Sequence, residues 1–409
     1  MFKKIYFTLT TIFLVLFVLE TGTFFLNLGF SETDNKHHSF YQKSVNYFKT
    51  NSFLKRQIHP YFGFIYPQDS YYTDAISGTL IKRKVNNYGF LSELNYPYFK
   101  KKDELTIAIL GGSVAEGFAA YFEKSPFLVE IEEIVGKKIK ILNLSLGSGQ
   151  QPQQFFISSY FIESIDLFIN LDGFNEVTGV KYNKAPIEYP SMDFSSIFLN
   201  KEMNLSILKT MYIADYLYRI NLFLSDSFLA NSNTLFFTLR NIMKLFIQHK
   251  LELHEKLDDL NFDVKVKFYD KDNFSADKIL SLHAKNWSKY TLLQHQLFSA
   301  QNKKALFFLQ PSLWIADSKE FTSTEKKYKK VLYSNITSPI SKSYEALRLE
   351  MARMEQSHDL TVHDLTYLFK DTQETIYVDN CCHLNNEGNR IMADKVTSEI
   401  IKTLKSRTL

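Results

Sequence analysis

Apolar positions along the chain follow two periods, and their alternation predicts an α/β fold. Short, near-continuous apolar runs at 106–110, 139–144, 165–171, 305–309 and 360–365 have the length and character of strands buried on both faces. Beyond Pro126, which suits a first helical turn, Phe127, Leu128, Ile131 and Ile134 recur at helical spacing. Strands joined by such helices make right-handed crossovers. The expected architecture is therefore a three-layer α/β/α sandwich around a five-stranded parallel sheet.

Two stretches depart from this rhythm. About 130 residues separate the third and fourth runs, far more than one crossover requires. Helical patterns at Leu205–Leu224, Thr234–Leu260 and Ala276–Gln301 predict a helical insertion over residues 180–300, beside the sheet or over its cleft. Arg240 and Lys244 interrupt the apolar stretch from Leu235 to Ile247, which argues against a membrane span there.

The N-terminus is the other departure. Lys3 and Lys4 precede an apolar run from Ile5 to Leu19, and after Glu20 the pattern resumes through Phe24, Phe25, Leu26 and Leu28. No small-x-small cleavage site follows, so residues 1–30 read as an uncleaved signal anchor, with the lysines cytoplasmic and the remainder exported. A cleaved secretory peptide is the alternative and exports the same part. An acid at mid-membrane is costly, so a span from Ile5 to about Phe24 would bring Glu20 towards the outer interface. Residues 31–104 read as a stalk that becomes an ordered lead-in near His59-Pro60-Tyr61-Phe62-Gly63-Phe64, and 105–409 as the main domain.

Composition narrows the function classes. Of 409 residues 45% are apolar, enough for a substantial core, and 48 basic side chains are intermixed with 44 acidic ones, so no concentrated patch suits nucleic acid. The two cysteines, Cys381 and Cys382, are adjacent, which provides neither a disulfide framework nor zinc-ligand spacing. They read as two buried thiols, or as a vicinal disulfide stiffening their loop. No metal motif, nucleotide-binding glycine loop or haem attachment sequence is present, and no cofactor is implied.

Four short blocks carry candidate chemistry. Gly111-Gly112-Ser113 ends the first strand, and its glycines would let the backbone bend and expose the serine hydroxyl. Asn143 to Gln154 follows the second strand and contains Gly147 and Gly149. Asp172-Gly173-Phe174-Asn175-Glu176 follows the third, and Val378 to Asn389, containing Asp379, Asn380 and His383, precedes a helical C-terminus. A serine hydroxyl needs a base to take its proton and donors to hold an oxyanion, and these blocks supply candidates for each.

In order and spacing the four blocks resemble those of the SGNH hydrolases, also called the GDSL family, over roughly 105–180 and 300–400. The resemblance implies a flavodoxin-like sheet, Ser113 as nucleophile, His383 as general base, and a backbone N–H of the glycine block with the Asn175 amide as oxyanion donors. Gly147 is slightly preferred to Gly149. The family's first block usually reads Gly-Asp-Ser, where Gly112 stands here. Its orienting aspartate usually lies three residues before the histidine, a position held here by Asn380, with Asp379 four before. Either Asp379 orients the ring, or Asn380 or a backbone carbonyl does and catalysis is a dyad. Asp172 and Glu176 are acids at the same mouth with no assigned proton transfer, and His358 and His363 lack a comparable loop motif.

The resulting expectation is a membrane-anchored, extracytoplasmic serine esterase acting on acyl esters, O-acetyl groups among them, carried by envelope glycans or lipids. An O-acyltransferase of an envelope polysaccharide pathway and a catalytically inactive binding or assembly protein are the alternatives.

Overall fold

The computed structural model describes residues 11, 14–15, 17–23, 36–50, 57–68, 71–74, 81–177, 201–259, 275–332 and 337–405. The chain divides into two compact units, one of residues 1–55 with 196–264, the other of 56–195 with 265–409. In chain order the helices are α1 (Lys36–Thr50), α2 (Ser113–Phe122), α3 (Pro126–Val135), α4 (Gln153–Phe161), α5 (Phe174–Val177), α6 (Lys201–Ser225), α7 (Asn233–Asp259), α8 (Ala276–Ala300), α9 (Ser323–Leu332), α10 (Thr337–His358) and α11 (Asn386–Lys405). The strands of the large sheet are β1 (Glu104–Gly111), β2 (Lys138–Asn143), β3 (Leu167–Asp172), β4 (Lys304–Leu309) and β5 (Val362–Asp364).

These five strands pair in the order β2-β1-β3-β4-β5, and every pairing is parallel. Every residue of β1 and β3 is buried, which is why their sequences are continuous apolar runs rather than alternating ones. Helices α2, α3 and α11 cover one face, and α4, α8 and α10 the other. The chain is thus α/β with a three-layer arrangement. The order reverses between β1 and β3, so a crevice opens beyond their carboxyl ends.

Helix α8 belongs to the sheet unit, although its sequence reads as part of the insertion over 180–300. The reason is its apolar stripe: Ile279, Ala284, Trp287 and Phe298 are buried, and the Phe298 ring stacks on Phe168 of β3 at 4.0 Å. The lead-in is also part of this unit. A hairpin pairs Gln57–His59 with Gly63–Ile65, burying Phe62 and Phe64, and the Phe62 carbonyl accepts from the Gln153 side-chain amide.

In the other unit, α1 forms where the sequence suggests a stalk. Its Tyr41 and Phe48 are buried in one cluster with Leu217 and Leu224 of α6 and with Leu239, Met243 and Phe246 of α7. Residues 17–23 are helical. Among the described residues no helix is long and apolar enough to cross a membrane, while residues 1–10, 12–13, 16 and 24–30 of the expected anchor lie outside them.

Candidate active site

All four blocks meet at the carboxyl edge of the sheet. Gly111 ends β1 at φ +145°, where a Cβ would stand 2.4 Å from the Leu171 carbonyl oxygen, so only glycine lets the chain turn so close to β3. Ser113 follows as the first residue of α2. Its backbone N–H is at a helix N-terminus, where such groups lack intrahelical partners and favour negative charge.

His383 lies 270 positions away, yet its Nε2 stands 2.7 Å from Ser113 Oγ. Its Nδ1 contacts Asp379 Oδ2. A carboxylate can only accept, so Nδ1 carries the proton and Nε2 of the neutral ring accepts from the serine hydroxyl. The other oxygen of Asp379 accepts from the backbone N–H groups of Cys381, Cys382 and His383 at 2.9, 3.2 and 3.4 Å. Burial pushes the Asp379 carboxyl up, but the hydrogen bond from the His383 ring, the charge that ring carries when protonated, and the backbone N–H groups outweigh it and hold the group below the ordinary aspartate range.

Asn380 has a different job. Its backbone carbonyl accepts from the Trp314 indole N–H at 2.9 Å, which ties the histidine loop to the segment after β4. Upstream, buried Glu325 accepts from the N–H groups of Ile376 and Tyr377 at 2.8 and 3.0 Å and pairs with Lys319 at 3.3 Å. His363, by contrast, lies in β5 with its ring against Phe308.

The glycine and asparagine blocks touch each other. Asn175 Nδ2 donates to the Gly149 carbonyl at 2.9 Å, while the Gly149 N–H donates to the Leu146 carbonyl at 2.6 Å. Gly149 is therefore engaged through both backbone groups, and Gly147 is the glycine of this block whose N–H has no hydrogen-bond partner among the described residues. A Cβ at Gly112 would stand 2.0 Å from Asn175 Nδ2. The asparagine amide occupies the space that a side chain at 112 would need.

Beneath Asn175 lies a buried acid pair. Asp172 accepts from the Trp287 indole at 3.1 Å, and Glu176 from the Gly173 N–H at 2.7 Å and the Gln154 amide at 3.3 Å. Burial pushes both carboxyls up, and the neighbouring charge of Asp172 raises Glu176 further. Sequence reasoning missed this network. Its signal is the run Gln150-Gln151-Pro152-Gln153-Gln154, uncharged but polar, whose four glutamines are all buried. Gln151 donates to Gln294 of α8 at 2.7 Å, so these amides join the site's floor to the far helical layer.

Cys381 and Cys382 are free thiols with sulfurs 2.6 Å apart, and burial pushes the Cys382 thiol well up. Ligand atoms of Asp379, Cys381 and His383 lie within 4.8 Å of one another, the one such group among the described residues. Both ring nitrogens of His383 are already engaged, by Asp379 and Ser113, which suits proton transfer better than metal ligation.

No family model matches the chain, and no curated protein does. Among solved structures, a Bacteroides fragilis protein described as a presumed acylhydrolase aligns with a TM-score of 0.36 and 10% identity, over 76% of this chain and 92% of that one. That likeness is too distant to transfer a residue or an activity. What the site can do follows from its own geometry.

Proposed function

We propose that this chain is a serine esterase of the SGNH type, and the observation that carries the proposal is His383 standing between Ser113 and Asp379. His383 Nε2 takes the hydroxyl proton as Ser113 Oγ attacks an ester carbonyl. The imidazolium is stabilised by Asp379, which is held as a carboxylate. Charge on the carbonyl oxygen is met by the N–H of Ser113, the N–H of Gly147 and the Asn175 amide, whose two protons allow one to hold Gly149 while the other serves the oxyanion. His383 then protonates the departing alcohol. Water, deprotonated by the same imidazole, releases the acid and restores the serine.

The lysines and apolar run at the N-terminus support an anchored, extracytoplasmic placement, and with it acyl esters of envelope glycans or lipids as substrates. A fluorophosphonate probe tests the core of the proposal. It should label the wild-type protein and leave Ser113→Ala unlabelled. Labelling that survives in Ser113→Ala, or a wild-type protein inert to both probe and p-nitrophenyl acetate, would remove the esterase reading.

A further inference from the structure

The α1–α6–α7 unit carries an apolar surface that its own core does not use. Helix α6 buries Ala214, Leu217 and Leu224 along one side. Along another it exposes Leu205, Tyr212, Tyr216, Ile220 and Phe223, spaced three, four or seven residues apart, so they share one stripe. Tyr212 is 69%, Tyr216 67% and Phe223 64% exposed, and in the turn that follows Phe228 reaches 86%. Lys209 and Arg219 border the stripe one turn from Tyr212 and Tyr216. With charges at 209, 215 and 219, the helix is not apolar enough to cross a bilayer.

The end of the N-terminal apolar segment is fastened to this turn. The Glu20 carboxylate accepts from Ser232 Oγ at 2.7 Å, from the N–H of Asn233 and from the N–H of Thr234 at 3.1 Å, thereby capping α7. Thr23 Oγ1 meets Thr234 Oγ1 at 3.0 Å. Among the described residues before Glu20, Leu14, Val15, Phe17, Val18 and Leu19 are exposed and apolar. Phe228 lies four residues before Ser232, in the turn that leads to the residues Glu20 holds.

We propose that the exposed stripe of α6 and the turn at Phe228 rest in the interface of a lipid bilayer, next to the N-terminal segment. Aromatic side chains bordered by Lys209 and by the exposed Arg219–Asp215 ion pair suit the headgroup layer, and an amphipathic helix buries its apolar face to about 5–10 Å there. Glu20, near the outer end of the span, then ties that segment to the unit that lies on the surface. The inference extends the anchor reading but is separable from it.

Full-length protein reconstituted in phosphatidylcholine and phosphatidylglycerol vesicles, with and without bromine-labelled acyl chains, provides the test. The native Trp287 and Trp314 are buried, so the parent protein gives the baseline. Phe228→Trp and Tyr216→Trp should each lose roughly half of the added emission in brominated vesicles, as a shallow interfacial position requires. Leu14→Trp reports on the anchor itself. Quenching at 14 without quenching at 216 and 228 would overturn the proposal and leave the anchor standing, whereas no quenching at any of the three would overturn both. Unquenched emission at 228 that shifts to the blue with protein concentration would assign the surface to a second copy and overturn the proposal equally.

Discussion

The side-chain amide nitrogen of Asn175 occupies the place where Gly112 would carry a Cβ, 2.0 Å from it. A residue one position before Ser113 and a residue one strand away are thereby linked: Gly112 is glycine because Asn175 sits over it.

Gly112→Ala should consequently act on Asn175 rather than on Ser113. The clash is with the far end of a movable side chain, so the variant should fold with a melting temperature close to wild type. Its kcat for a p-nitrophenyl ester should fall by on the order of 10²–10³-fold, the usual cost of losing one oxyanion donor. Asn175→Ala should lose about as much, and the double variant little more than either alone, because both remove one interaction. Steady-state kinetics of the three variants check this, and full additivity would show that Gly112 acts by another route.

The two candidates for orienting His383 separate cleanly. Only Asp379 reaches the imidazole, whereas Asn380 contributes its backbone carbonyl to Trp314. Asp379→Asn should lower kcat by up to about 10⁴-fold with little change in fold. It should also move the acid limb of the pH–rate profile to lower pH, since the carboxylate that favours imidazolium is gone. Asn380→Ala should stay near wild type. Activity measured across pH for both variants decides between a triad and a dyad.

Asp172 and Glu176 predict a pH dependence of stability. Their folded pKa values are raised, so the folded state binds protons more tightly than the unfolded chain does. That contribution is complete below the ordinary carboxylate range and is lost as pH rises through the raised folded values. Melting temperature should therefore decline on going from mildly acidic to alkaline buffer. Glu176→Gln, which keeps an acceptor for Gly173 and cannot ionise, should flatten the decline; a slope identical to wild type would place the pH sensitivity elsewhere.

Oxidation should reach the active site through Cys381 and Cys382. Diamide takes two electrons and two protons from the pair and leaves a disulfide, whose ring would pull the Cys381 and Cys382 N–H groups from Asp379. Misplacing Asp379 and His383 should cost roughly ten- to a hundredfold in kcat. Dithiothreitol should restore it, and Cys381→Ser should be insensitive. Thiol counting alongside the esterase assay makes the comparison.

Much of the main domain was readable in sequence because its signals are local. A buried parallel strand must be apolar along its whole length, so β1 and β3 announced themselves as runs, and Pro126 marked the start of α3 for the reason any helix accepts proline there. The blocks around Ser113, Asn175 and His383 followed strands or preceded a helix, and the sheet brought them to one edge.

Other features depended on distances that no spacing records. Whether Asp379 or Asn380 faces the imidazole turns on a loop that wraps three N–H groups around one carboxylate oxygen. That Gly112 makes room for Asn175, that α8 joins the sheet through Phe298, and that Glu20 caps α7 are contacts between residues 63 to 214 positions apart. The sequence by itself determined the five strands of the sheet and which residue types reach its edge, because backbone periodicity and burial act on neighbours along the chain. Only the tertiary structure decided which groups share a proton and which share a space, because hydrogen bonds and excluded volume act over a few ångströms, whatever the number of residues between them.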